Sequence, residues 1–191
     1  MNHIIESLRA EYLRYKGLAE AAIGQVSEAE LVASGEGGGN SIAVICWHLG
    51  GNLRSRFTDF LTTDGEKPWR KRDEEFERRA VTRAELLNQW ERGWATLLET
   101  LDTLSDADLE REVTIRRQPL RVSEALHRSL AHASYHVGQI VHVARGLRGS
   151  DWRFLSIPPG QSEQYNARPT LEKPAAQLEL VRGRGDPRSG R

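Results

Sequence analysis

The sequence predicts an all-α four-helix bundle, on three observations. Four stretches of roughly 20 residues carry apolar side chains at the 3.6-residue helical period. No run of alternating apolar and polar residues convincing enough for a strand interrupts them. The chain has 191 residues, 38% hydrophobic and 28% charged, which suits one soluble globular domain with a substantial core.

The first helix is marked by Ile4, Ile5, Leu8, Tyr12, Tyr15 and Leu18 and is expected to run to about Val26. "SGEGGGN" (34–40) breaks the pattern. It lacks the following Lys-Ser/Thr of a phosphate-cradling loop and is taken as a linker. Asn40 or Ser41 can cap the second helix, "SIAVICWHLGGNLRSRFTDFLTT". The polar stretch 64–81, with Gly65 and Pro68, leads to a third helix after Thr82, where Glu85 completes a capping box. Its apolar positions are Leu86, Leu87, Trp90, Trp94, Leu97, Leu98 and Leu101. The connection 104–122 is expected to hold a helical turn and an extended piece. Ser123 is then expected to cap the fourth helix, which ends near Gly146. An irregular arm follows, packing through Trp152 and Phe154. The domain is thus expected to cover 1–167, and residues 168–191 to form a disordered tail, its Arg184-Gly185-Asp186 triplet a matter of chance.

Lys+Arg and Asp+Glu are equal at 27 each, a formal net charge of zero. A dedicated nucleic-acid or anionic-membrane binder normally carries a basic excess, so neither partner is expected. The single cysteine, Cys46, excludes an intramolecular disulfide and any Cys-rich zinc module, and is expected to be a packed, inert thiol. The first residues lack the pattern of a signal peptide, and no apolar run is long enough to span a membrane; a cytoplasmic protein is expected.

The chemistry is expected to lie in the histidines. His132 and His136, four residues apart, fall within about 40° of one another on a helix and can chelate one ion. The glutamate that zinc proteases place after the first histidine is absent; Ala133 stands there. Taken alone, such a pair recurs by chance. His48 on the second helix offers a third ligand, on a face shared with Ser41, Asn52, Ser55 and Asp59. That polar stripe either surrounds a wet or ion-bearing interior or faces solvent. His127 points elsewhere on the wheel, His142 lies at most at the edge of the face, and His3 is surface decoration.

Asn52 and Gln139 lie one turn or less beyond their histidines. They are candidates to orient a ligand or touch substrate, and equally to bridge helices. Tyr135 and Asp59 are weaker candidates of the same kind. Arg54, Arg56, Lys67, Arg70, Lys71 and Arg72 could steer an anion. The acids among them, Asp64, Glu66, Asp73, Glu74 and Glu75, favour a solvated, self-neutralising face.

"WHLGGN" in the second helix and "HASYHVGQI" in the fourth resemble the DinB-like (YfiT-like) superfamily of metal-binding four-helix bundles. The segments 40–77 and "IPPGQSEQYN" are similar to one bacterial subfamily of unknown function within it, over roughly residues 1–167. The resemblance implies a divalent ion on His48, His132 and His136, and a long crossover between helices two and three. It also implies chemistry on small molecules, since some relatives transfer low-molecular-weight thiols.

Three neutral imidazoles leave an ion with its charge intact and an open position. The expected function is therefore a metal-dependent thiol S-transferase or hydrolase of a small electrophile, with zinc or nickel first among the ions. The alternative is a non-catalytic metal- or ligand-binding module, or a structural dimer. A homodimer is expected from Trp90 and Trp94, four residues apart, as an apolar patch.

Overall fold

The computed structural model describes residues 2–185 and shows an all-α helical bundle. Four long helices build it: α1 (His3–Ile23), α3 (Ile42–Phe57), α4 (Arg83–Thr103) and α5 (Val122–Arg148). The short α2 (Glu28–Val32) lies between the first two, and α6 (Ser162–Ala167) and α7 (Pro174–Gly185) follow the last. A two-stranded antiparallel hairpin, β1 (Glu112–Ile115) and β2 (Gln118–Arg121), leads into α5. No helix among the described residues is long and apolar enough to cross a membrane.

Helix α3 packs against both α4 and α5, and α1 packs against α5, α4 and α7. The core between them holds Tyr12, Ile42, Leu49, Leu53, Trp90, Trp94 and Leu126, all fully buried. Trp90 and Trp94, from which a dimer face was expected, are thus core residues. The Trp90 indole donates to Glu20, and Trp94 meets the Tyr12 ring edge-on. A small side chain is required where α3 meets α4. A Cβ on Gly93 would collide with the backbone of Gly50, and one on Gly50 with the carbonyl of Gln89.

Boundaries depart from the sequence expectation where tertiary hydrogen bonds intervene. Helix α1 stops at Ile23 rather than Val26. Helix α3 stops at Phe57 rather than Thr63, because Asp59 turns left-handed (φ 49°) and its carbonyl takes the amides of Thr62 and Thr63. Helix α5 begins at Val122, with Arg121 rather than Ser123 at its N-cap. The Val122 and Ser123 amides are already bound to the carbonyls of Arg111 and Leu109, and Glu124 reaches back to the Arg121 amide. The Thr82–Glu85 capping box of α4 is present as expected.

Residues 168–185 are not a disordered tail. Helix α7 lies on α1, with Val181 fully buried and Leu178 over Gly17, where an added Cβ would strike it. Only two apolar anchors seat it, which is why its sequence, "PAAQLELVRGRG", carries little helical amphipathicity. The expectation for 186–191, including Asp186 of the Arg-Gly-Asp triplet, falls outside the described residues.

The segment between α3 and α4, residues 58–82, is long, as expected for a crossover. It lies against α3 and touches the hairpin: the Gly65 amide donates to Thr114 O at 2.7 Å. The hairpin turn is Arg116-Arg117, both left-handed at φ 53° and 63°. Asn-Gly is the cheap choice for such a turn, and an ordinary L-residue costs about 1–2 kcal/mol there. Asp64 offsets part of this by accepting both arginine amides, at 2.8 and 2.7 Å.

Candidate metal centre

Helix α3 carries His48 and α5 carries His132 and His136, and the packing of the two helices brings the three rings together. Their ligand atoms all lie within 4.8 Å of one another. His132 Nε2 is 3.4 Å from His48 Nε2 and 3.1 Å from His136 Nε2. Nitrogens bound tetrahedrally to zinc at ~2.05 Å stand ~3.3 Å apart, so the spacing fits one ion. His48 is buried; His132 and His136 are half-buried.

Ring protons follow from the neighbours. His48 Nδ1 lies 2.8 Å from Glu75 Oε2, and a carboxylate only accepts, so Nδ1 carries the hydrogen and Nε2 its lone pair. His136 Nδ1 donates to Gln139 Oε1 at 2.8 Å, while the Gln139 amide donates to the Tyr135 hydroxyl. Both outer bonds leave Nε2 bare and aimed inward, the arrangement that orients metal-bound imidazoles. His132 Nδ1 is buried without a partner. At most one ring proton can therefore sit among three converging nitrogens, an arrangement that could hold a cation.

Electrostatics agree. Burial first, then the neighbouring His136 and His48 rings, then Arg70 and Arg56, lower His132 to about 3. Burial and His48 lower His136 too, against the opposing bond from Gln139. Both rings are thus held neutral, as ligands must be.

Glu75 is the residue that sequence reasoning missed. The stretch 64–81 looked like a solvated face, yet Glu75 is 6% exposed and Arg70 closes on it with two 2.8 Å bonds, its side chain 2% exposed. Burial alone would raise the Glu75 carboxyl; the bonds from Arg70 and His48 outweigh it and hold it below the usual range. Phe76 covers His48, with ring centroids 4.5 Å apart. The available signal was Gly51, three residues after His48. A Cβ there would run into the Glu75 carboxylate, so the second glycine of "WHLGGN" is the space into which Glu75 fits.

The other candidates sort cleanly. Asn52 lines a cleft beside His48 and His132 and, unlike Gln139, is on no ring nitrogen. Ser55 is buried and pins the crossover through Gly65 O and the Lys67 amide; Ser41 caps α3. The polar stripe of α3 is therefore interior at Ser41, His48 and Ser55 and half-buried at Asn52, but only His48 of it enters the histidine cluster. Asp59 is exposed at the end of α3. His127 is exposed and paired with the Ser123 carbonyl, and His3 and His142 are likewise outside the cluster. Cys46 is fully buried, which raises its thiol far above ordinary values. It is inert.

Fold and site together define a helical bundle with a three-histidine cradle able to hold a metal ion. A family model described as "Protein of unknown function (DUF1572)" matches residues 1–161, and the chain belongs to that family. No curated protein matches the chain, and no solved structure does.

Proposed function

We propose that this protein is a metal-dependent enzyme of the DinB-like kind, acting on a small electrophilic substrate as a thiol S-transferase or a hydrolase. The observation that carries the reading is the convergence of three Nε2 atoms, two of them held as bare lone pairs by Glu75 and Gln139. His48, His132 and His136 would hold the ion. Bound there, a divalent ion would supply a Lewis acid that brings the pKa of a water or thiol toward about 7.

The chain's own groups prepare for this in three ways. Glu75 and Gln139 fix the proton of two rings at Nδ1. Phe76 screens one side of His48 from water. Among the described residues only three potential ligand groups converge, whereas a structural zinc closes its shell with four. A cleft of about 160 Å³ opens on His48 and His132, and this access supports catalysis over a purely structural ion.

The test begins with elemental analysis of natively purified protein and of His48→Ala, His132→Ala and His136→Ala. Each variant is expected to lose most of the metal, while His3→Ala and His127→Ala keep it. Full metal content in all three cluster variants would remove the site. Metal-loaded and metal-free protein are then compared on a panel of thiols with chromogenic electrophiles and on small ester and amide substrates. Turnover only when loaded supports the enzyme. Tight stoichiometric metal with no turnover of any pair would leave a binding module instead.

A further inference from the structure

The cleft beside the histidines has a strongly one-sided charge. In a chain of zero net charge, four arginines line it, Arg56, Arg72, Arg116 and Arg128, and no carboxylate does. The sequence singled out a different cationic set, and the structure divides it. Arg70 is spent on Glu75, Lys67 on Thr63 and the Asp64 carbonyl, Lys71 on Glu74, and Arg54 lies over Trp69. Arg56, which also donates to the Gly65 carbonyl, and Arg72, which lies over the Phe76 ring, line the cleft all the same, joined by Arg116 from the hairpin tip and Arg128 from α5.

Neutralisation of these four is incomplete. Glu66 is shared between Arg56 and Arg116, and Asp73 touches Arg72 only at 3.5 Å. Arg128 has no acidic partner within ion-pair distance among the described residues, and it lies one turn before His132 on the same helix. Guanidinium groups bind carboxylate and phosphate through paired N–H donors, and several around one concavity raise the local anion concentration. The hairpin adds an independent observation. Its tip is strained to seat arginines at two left-handed positions where Asn-Gly would be relaxed, and Arg116 of that pair faces the cleft. Phe57, Phe60 and Ile115 give the cleft one apolar side, and Asn52, Ser129 and the two histidines His48 and His132 also line it.

We infer that the cleft binds the oxyanion group, carboxylate or phosphate, of a small substrate with an apolar body. Arg116 and Arg128 grip the anion, Phe57 and Ile115 line the body, and His48 and His132 stand at the reacting end. The cleft's volume, about 160 Å³, matches that of a cavity that takes a single benzene ring, the scale on which the probes are chosen. The inference deepens the proposed enzyme and rests on it for the reacting end, but anion binding itself requires only the arginines.

Calorimetric titration with benzoate, phenyl phosphate and neutral benzamide tests it, on zinc-loaded and metal-free protein with zinc content measured alongside. Both charged probes, or one of them, are expected to bind at least tenfold more tightly than benzamide, and more weakly as salt rises. Which one wins separates a carboxylate substrate from a phosphate. Arg128→Gln removes one grip. Replacing Arg116-Arg117 by Asn-Gly removes the other while relaxing the turn, so this variant folds at least as well as the parent. Each is expected to weaken the preferred anion about tenfold or more with zinc content unchanged. Benzamide binding as well as the anions would overturn the inference, as would undiminished anion binding by the folded Asn-Gly variant. Zinc binding without anion preference sinks this inference alone; a protein that takes up no zinc when it is offered, yet prefers the anions, sinks the zinc reading and leaves this one standing.

Discussion

Replacing Glu75 by Met tests whether the crossover governs the metal centre. The substitution keeps the length of the side chain and removes all three hydrogen bonds that the carboxylate accepts, one from His48 and two from Arg70. Two separable costs follow. Arg70, its side chain 2% exposed, is left as a buried unpaired charge, and breaking such a pair costs about 3–5 kcal/mol. Against a total stability of roughly 5–15 kcal/mol, that alone brings the protein near its threshold. His48 also loses the acceptor that keeps its proton on Nδ1. Loss of such an orienting partner weakens metal binding about 10- to 100-fold, or ~1.4–2.7 kcal/mol. The double variant Arg70→Met/Glu75→Met separates the two, since replacing a whole buried pair by apolar groups of similar volume is close to neutral. Chemical denaturation of metal-free protein is expected to show the single variant crippled and the double variant largely recovered. Zinc competition against a chromophoric chelator at neutral pH is expected to show both weakened. A well-folded double variant with parental zinc affinity would refute the role given to Glu75.

Metal-free protein is expected to lose stability as pH falls from about 6.5, because His132, lowered to about 3, refuses in the folded state a proton that the unfolded chain accepts. The contribution is complete above the unfolded value and has a limiting slope of about 1.4 kcal/mol per pH unit, less in practice because solvent reaches the half-buried ring. Denaturation midpoints measured from pH 7 to 4 check the sign; a His132→Ala protein with the same slope would contradict it. Gly51→Ala drives a methyl into the Glu75 carboxylate and should cost about 1–3 kcal/mol. Gly138→Ala, in open space on α5, should stabilise by about 0.5–1 kcal/mol, and thermal melts that ranked the two alike would count against the packing described. Val181→Ala should cost about 2 kcal/mol, lowering the melting temperature by roughly 4–8 °C, and no change would mean that α7 is not seated on α1.

Much of this protein is determined locally by its sequence. The four long helices follow from apolar periodicity, the start of α4 from a capping box closed within four residues, and the His132–His136 pair from helical spacing alone. The exclusion of Cys46 follows in the same way, from its position opposite His48 on one helix. Each of these needs only neighbours within a turn or two. Tertiary structure decided the rest, because the partners come from far along the chain. His48 joins the pair only when α3 packs on α5, 84 residues away in sequence. Glu75 and Arg70 look like members of a solvated charge run, since a composition rich in both signs conceals which pair will be buried together. Arg116 and Arg128 became cleft residues through a hairpin tip and a helix that nothing in their own neighbourhoods connects. The chain also had to fold for α7 to exist: its two apolar anchors are too few to order a helix in isolation, and it forms where α1 offers Gly17 and a groove to receive them.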